Sequence, residues 1–270
     1  MVNLGTTQQV ALRQTAHALA DAARPVTLKH FRSLGLSADN KDVGGFDPVT
    51  AADRGAEQAM RAVLAEMRPH DGILGEEFGD VASQSGLTWV LDPIDGTRGF
   101  ISGTPTWGVL IAVSDASGPR FGIIDQPYIG ERFEGGFGHA VMTGPHGSFD
   151  LQTRGGRALS EATLFTTFPE VGRDVDRSGF EAVRDRVQLV RYGMDCYAYA
   201  LLAAGQIDLV IEAGLHPYDI HGPIAVIKAS GGIITDWRGR PANAGGQVIA
   251  AGSPEIHTQA LALLEPFADD

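Results

Sequence analysis

Cysteine is nearly absent from this sequence: Cys196 stands alone in 270 residues. No internal disulfide and no cysteine zinc cluster can form, which excludes a disulfide-stapled scaffold and fits a reducing compartment. Long hydrophobic runs are missing too; no apolar stretch approaches the roughly 18 residues needed to cross a bilayer. Met1 to Val10 show no basic segment followed by an apolar one, so no signal peptide is expected. The expected place of work is the cytoplasm, with no membrane partner. Positive charge is scarce as well: 21 Lys and Arg stand against 33 Asp and Glu, a formal charge of −12. Such a field repels nucleic-acid phosphates and acidic lipid headgroups, so no nucleic-acid partner is expected. A phosphate ligand would have to be held by added cations or by backbone N–H groups. Repeats, low-complexity tracts and long charge runs are also lacking.

What the sequence does carry is the make-up of a folded globular protein, 43% hydrophobic and 20% charged, with 35 glycines and 14 prolines. The length allows one large domain or two modest ones, each able to bury a core. Within residues 7–24, Val10, Leu12, Ala16, Leu19, Ala20 and Ala23 fall on one face of a helix. A glycine-bearing loop follows through Asn40-Lys41-Asp42-Val43-Gly44-Gly45. A second helix is predicted from about Arg54, with Ala56, Ala59, Met60, Val63, Leu64 and Met67 at helical spacing. Asp53 sits at its start, where a carboxylate caps free N–H groups. Trp89–Leu91, Trp107–Val113, Phe121–Ile124 and Arg132–Phe137 read as short strands, and Asp115–Pro119 as a turn between two antiparallel ones. After about residue 150 the elements alternate. Strands are predicted at Leu164–Thr167, Leu189–Arg191, Leu209–Ile211 and Ile233–Thr235, with helices at Tyr197–Ala204 and over 220–229, the second stopped by Gly231-Gly232. Two parts sharing a cleft are expected, an α+β part over 1–150 and an α/β part over 151–270.

The densest chemistry lies in Trp89-Val-Leu-Asp92-Pro-Ile-Asp95-Gly-Thr97. A hydrophobic strand ends in a carboxylate, a proline turns the chain, and a second carboxylate follows three residues on. Gly96 lets the backbone approach a ligand closely, and a helix starting near Thr97 would aim free N–H groups at an anion. Two acids beside an anion cradle make sense when cations lie between them, and hard oxygen ligands of this kind suit Mg²⁺ or Mn²⁺. Alone, an Asp-x-x-Asp is as well explained by a surface turn with a helix cap. Its company changes that reading. Gly75-Glu76-Glu77 follows the apolar pair Ile73-Leu74 at another strand end, and Asp47-Pro-Val-Thr50-Ala-Ala-Asp53 supplies a further acid at a helix start. Asp95-Gly-Thr97 also resembles the haloacid-dehalogenase-like nucleophile motif. Pro93 stands where that motif has its other aspartate, which argues against an aspartyl-phosphate intermediate.

Taken in order, Asp47 to Asp53, Gly75-Glu76-Glu77, Asp92 to Thr97 and a distal Asp219 before Gly231-Gly232 resemble the inositol monophosphatase superfamily of metal-dependent phosphatases. The resemblance covers nearly the whole chain. It implies that family's α/β (α+β) layered αβαβα sandwich, the type also seen in fructose-bisphosphatases, a homodimer, and two or three Mg²⁺ ions in the cleft with Mn²⁺ as a substitute. Carried over residue by residue, it implies that Glu76, Asp92, Asp95 and Asp219 are side-chain metal ligands and that the Ile94 carbonyl completes one site. The N–H groups of Gly96 and Thr97 would hold phosphate. Thr97, oriented by Asp53, would help Glu76 and a metal activate the attacking water. The 1–150 part would then carry most metal ligands, and the 151–270 part would complete the metal and substrate site. Lys41 reads as a solvated loop lysine rather than a partner of the metals.

Phe100-Ile-Ser-Gly103, Arg191-Tyr-Gly-Met-Asp195-Cys-Tyr197-Ala-Tyr199 and Glu212-Ala-Gly-Leu-His-Pro-Tyr218-Asp219 resemble the histidinol-phosphatase branch of that superfamily. The branch implies hydrolysis of a small-molecule phosphate ester, L-histidinol phosphate, to L-histidinol and phosphate, a late step in histidine biosynthesis. Asp195 and Glu212 suit the ammonium and imidazole of such a substrate, with Arg191 as a further contact. The same acids can accept from inositol hydroxyls, so an inositol monophosphatase or a broad sugar-phosphate phosphatase stays open, as does a non-catalytic metal- or phosphate-binding protein. His216 and His221 flank Asp219 but lack a His partner at i+4, which points to structural roles rather than zinc. Tyr197, Tyr199 and Cys196 read as packed residues, and His139 and His146 in the glycine-rich hairpin region receive no role. Gly222 and Pro223 weaken a helix interior, which predicts a late or irregular helix after Asp219.

Overall fold

A computed structural model describes residues 2–34, 38–40 and 48–270, with residues 38–40 and 48–49 described by their backbone alone. Lys41 and Asp47 therefore lie outside the described residues. The first expected helix runs longer than its apolar pattern, as α1, Thr6–His30. Leu12, Ala16, Leu19, Ala20 and Ala23 are buried as expected, whereas Val10 is 47% exposed. The helix passes through Pro25, whose missing N–H falls opposite exposed Asp21, where water can serve the carbonyl. Strands β1 (Ala38–Asn40) and β2 (Pro48–Thr50) pair antiparallel and lead into α2, Ala51–Met67. That helix starts ahead of Arg54 because Thr50 caps it, its Oγ1 accepting from the Ala52 N–H at 3.0 Å. Its buried face holds Ala52, Asp53, Ala56, Glu57, Met60 and Leu64, while Met67 is 43% exposed. A carboxylate, Glu57, thus takes a place in the core that the apolar pattern had assigned to other side chains.

The first large sheet is a meander of β3 (Gly72–Gly75), β4 (Thr88–Asp95), β5 (Gly108–Asp115), β6 (Gly118–Gln126), β7 (Glu131–Gly136), β8 (His139–Gly144) and β9 (Gly147–Asp150), with α3 (Thr97–Ser102) between β4 and β5. Only β3 and β4 run parallel. The turn after Asp115 joins β5 to β6 as its Ser-Gly-Pro chemistry predicts. The rest of the chain supplies β10 (Thr163–Thr166), α4 (Asp174–Arg184), β11 (Leu189–Tyr192), α5 (Asp195–Ala203), β12 (Leu209–Leu215), α6 (Pro217–Ala229), β13 (Ile233–Thr235), β14 (Gly246–Ala251) and α7 (Pro254–Leu264). These strands form a second sheet in the order β11-β10-β12-β14-β13.

Strand alternation sorts the side chains into layers. Val109, Ile111 and Val113 face α1 and α2, whereas Leu110 points the other way, into a core shared with α5 and α6. On the second sheet, Val210 faces that same central core, and Leu209 and Ile211 face Phe180 of α4 and Ile256 of α7. The result is an αβαβα sandwich, two sheets with a helix pair between them and a pair on each outer side. The central layer is tight. A side chain on Gly122 of β6 would put its Cβ 2.6 Å from the Gly222 carbonyl oxygen of α6. Gly222 therefore serves close helix–sheet approach, and α6 is neither late nor broken. It starts with Pro217 at its first turn and continues through Pro223, because Ile220, Ile224, Val226 and Ile227 are buried on both sides of it. Among the described residues, no helix is long and apolar enough to cross a membrane.

Candidate metal and phosphate-ester site

In a regular strand, residues three apart point to opposite faces. Asp92 and Asp95 escape this because β4 is bulged between them: Asp92 pairs with Leu110 and Asp95 with Gly108, three steps on β4 against two on β5. The extra residue falls at Pro93-Ile94, and proline, with no N–H to give a ladder, is at home there. The bulge turns both carboxylates to one side. Asp219, third residue of α6, comes to the same place, its Oδ2 accepting from the His216 N–H at 2.6 Å. Oxygens of Asp92, Asp95 and Asp219 lie within 4.8 Å of one another.

These acids are in conflict without a cation. Asp92 is 2% exposed, and its carboxyl is held well above the usual carboxylate range by burial and then by the charges of Glu76, Asp95 and Asp219. Burial followed by Asp195 and Asp219 raises Asp95 in the same sense, although the Cys196 N–H at the start of α5 donates to its Oδ2 at 2.6 Å. Converging carboxylate oxygens of one sign, with Asp92 buried and Asp95 and Asp219 half-buried, are a donor set for a hard divalent cation, so the residues present fit such an ion.

Glu76 follows β3 directly, its N–H donating to the Leu91 carbonyl at 3.3 Å, and its charge is felt by Asp92. Glu57 steadies this turn from inside α2. Its Oε2 accepts the Glu77 N–H at 2.8 Å, its Oε1 accepts from Arg61 Nε at 2.8 Å, and a side chain at Gly75 would collide with it. Periodicity gave no hint of this role, since a carboxylate on an apolar helix face reads as a defect. Thr97 Oγ1 lies 3.4 Å from Asp53 Oδ1 and 3.1 Å from the Ile94 carbonyl oxygen. Asp53 is itself pinned, with Thr50 donating to Oδ2 from its N–H at 2.9 Å and from its hydroxyl at 2.6 Å. Gly96 has φ +87°, and a Cβ there would stand 2.7 Å from Asp195 Cγ. Both facts call for glycine at that position.

The other wall of the cleft belongs to the second sheet. Asp195 opens α5 in the left-handed region, φ +45°, and accepts from Thr106 Oγ1 at 3.2 Å. Burial raises its carboxyl; the Thr106 bond and the Arg98 charge oppose the rise. Glu212 accepts from Thr166 Oγ1 at 3.2 Å, and from the Thr167 N–H and Oγ1 at 2.7 and 2.9 Å, yet burial still pushes it up to about 7. Glu76, Asp92, Ile94, Asp95, Gly96, Thr97, Asp195, Glu212 and Asp219 line one open cleft of about 340 Å³, whereas Asp53 does not. Arg191 is not among its lining residues. It is exposed on β11, the edge strand of the second sheet. His221 is held away by Ser114 Oγ and the Asn243 carbonyl oxygen, both at its ring nitrogens, so its role is structural. Arg98, Phe168, His216 and Tyr218 also line the cleft. Of these, Arg98 and Phe168 carried no signal beyond Arg98 directly following Thr97. Another hollow of about 410 Å³ lies over α1, but its Arg13, His17 and Asp21 are engaged in ion pairs with Glu134 and Arg132.

Residues 8–267 match the model of the inositol monophosphatase family. The chain is 42% identical to the bifunctional phosphatase IMPL2, chloroplastic, of Arabidopsis thaliana, over 97% of this chain and 77% of that one. It is 35% identical to a histidinol-phosphatase of Chlorobaculum parvum, over 84% of this chain and 86% of that one. Its structure is similar to that of an inositol monophosphatase from Zymomonas mobilis, with a TM-score of 0.84 at 39% identity, covering 97% of this chain and 99% of that one. The protein belongs to the inositol monophosphatase family of metal-dependent phosphatases, hydrolases of phosphomonoesters.

Proposed function

We propose that the chain is a Mg²⁺-dependent phosphatase that hydrolyses L-histidinol phosphate to L-histidinol and phosphate, a step of histidine biosynthesis, and that it works as a homodimer. The observation that carries this reading is the pair of acids left over after the metal cluster. Asp195 and Glu212 line the same cleft as Asp92, Asp95 and Asp219, and surplus negative charge suits an alcohol bearing an ammonium and a protonatable ring. The histidinol-phosphatases among its relatives support it.

In this reading Glu76, Asp92, Asp95 and Asp219, with the Ile94 carbonyl, hold the divalent cations. Bound there, Mg²⁺ supplies positive charge that offsets the acids and stabilises charge on the phosphoryl oxygens. The N–H groups of Gly96 and Thr97 receive the phosphate. The Thr97 hydroxyl, directing its proton toward Asp53 or the Ile94 carbonyl, turns a lone pair outward to accept from the attacking water. Glu76 takes the second proton of that water as its oxygen bonds phosphorus. The ester P–O bond breaks on the far side, and the departing alkoxide is reprotonated from solvent. Asp195 and Glu212 meet the cationic end of the leaving alcohol. Arg191 has no part in this scheme.

The 39% identical inositol monophosphatase favours a second reading, hydrolysis of inositol phosphates by the same machinery. Phosphate release from L-histidinol phosphate and from inositol 1-phosphate, each with Mg²⁺ and with chelator, separates the two. A large kcat/KM preference for histidinol phosphate, lost with chelator, is expected. Preference for inositol 1-phosphate would remove the roles of Asp195 and Glu212 and leave the metal site standing.

A further inference from the structure

Arg98 of α3 and Phe168, just past the end of β10, belong to opposite walls of the cleft and meet across its mouth. The Arg98 guanidinium carbon stands 4.7 Å from the centre of the Phe168 ring. Phe168 is 40% exposed and lines the cleft with Asp195 and Glu212. An aromatic ring that already carries one cation and still keeps exposed surface in a cleft with Asp195 and Glu212 is a cation-binding surface, because the ring quadrupole and the acids attract the same charge. The guanidinium already shows what fits: a flat, delocalised cation lying over the ring. The ring is also held in place. Thr167, its neighbour, gives both its N–H and its hydroxyl to Glu212 Oε1, and Thr166 gives its hydroxyl to Oε2. Glu212 thereby locks the turn that presents Phe168.

We infer that Phe168 is the platform for the alcohol part of the substrate, and that it selects phosphate esters carrying a planar ring that is positively charged or protonatable. The inference deepens the reading under Proposed function and rests on it. An imidazolium is the same kind of flat cation as the guanidinium that occupies the face here. An inositol ring, puckered and neutral, gains little from an aromatic face. Phosphate is received at the Gly96–Thr97 turn, so the platform acts on the ester's alcohol and leaves the phosphate contacts alone.

The test compares wild type, Phe168→Leu and Phe168→Tyr in Mg²⁺, measuring KM and kcat for L-histidinol phosphate and the inhibition constant of inorganic phosphate. Loss of the ring in Phe168→Leu should raise KM roughly three- to tenfold, with kcat changed less than KM. Phe168→Tyr, which keeps the ring, should restore KM to within about twofold. The inhibition constant of phosphate should be the same in all three. An unchanged KM in Phe168→Leu, or a phosphate inhibition constant that rises by the same factor as KM, overturns the platform and leaves the histidinol phosphate reading intact. Wild type that releases no phosphate from histidinol phosphate while hydrolysing inositol 1-phosphate overturns that reading, and the platform with it.

Discussion

Replacing Asp92 by Asn should make the protein more stable and inactive at once. Asp92 is almost fully buried, and oxygens of Asp95 and Asp219 lie within 4.8 Å of its own. At that separation and an effective dielectric of ~20, each like-charge pair costs roughly 3 kcal/mol. Burial, Glu76, Asp95 and Asp219 all raise the Asp92 carboxyl, so a proton held there relieves part of this repulsion. Holding a proton at pH 7 on a group that titrates near 4 when unfolded costs at most about 4 kcal/mol. That figure is the ceiling on what Asn can recover. Asn also keeps the local geometry, since its Oδ1 can accept the Ile94 N–H that Asp92 Oδ1 accepts at 3.0 Å. In chelator at pH 7, Asp92→Asn should therefore be ~1–4 kcal/mol more stable than wild type, several degrees in Tm. The sign with pH follows from the raised value. At Asp92 the folded state binds more protons than the unfolded one, so this group's contribution to wild-type stability falls as pH rises above about 4, and the difference between the two proteins closes below it. With Mg²⁺ the gap shrinks by up to ~2.7 kcal/mol at a hundredfold excess over Kd, because wild type gains that much and the variant loses much of the gain. Thermal or urea denaturation in chelator and in Mg²⁺, across pH 3 to 8, reads all of this. Wild type more stable than the variant in chelator at pH 7, or an undiminished Mg²⁺ response in the variant, would refute a cation-deficient acid cluster at Asp92.

Three further outcomes are expected. Glu212→Gln should flatten the loss of stability between about pH 4.5 and 7, because a carboxyl pushed up to about 7 destabilises the fold as it ionises; an unaltered pH–stability curve would show that Glu212 titrates normally. Gly96→Ala should cost ~1–2 kcal/mol for its left-handed backbone alone, and more for the contact with Asp195, with phosphate-ester turnover falling in parallel; wild-type Tm and turnover would contradict the geometry. The Tyr199 hydroxyl is buried and finds no partner among the described residues. Tyr199→Phe should thus leave Tm unchanged or raise it, and a loss of more than about 2 kcal/mol in urea denaturation would mean that the hydroxyl is hydrogen-bonded.

Much of the fold was legible because periodicity reports burial. The α1 stripe, the β4 and β5 runs and the Asp115 turn all stand where expected, since each needs only local chemistry. Elements without such a mark were missed. β8 is half-buried and β9 exposed at the far edge of the meander, and α4, β14 and α7 belong to the outer layer and its sheet, where no motif drew attention. α1 outruns the apolar stripe over 7–24 because its later turns continue through Pro25, whose missing N–H falls on a solvent-facing side.

By itself the sequence determined the inventory and its order: acids at strand and helix ends, a glycine at the turn between Asp95 and Thr97, one cysteine, and a deficit of cations that a phosphate ligand must overcome. Composition and local propensity are enough for that. Which acids meet was decided by tertiary structure alone. Asp219 joins Asp92 only because α6 is pressed between the sheets at Gly122 and Gly222. Asp92 and Asp95 share a face only because the β4 ladder slips at Pro93-Ile94. Glu57 and Glu212 turned out to brace the Glu76 and Phe168 turns, Arg191 was left on an outer edge, and Arg98 was laid across Phe168. Spacing along a chain measures neighbours in sequence. Contacts between residues distant in sequence depend on how layers pack, and no local pattern encodes that.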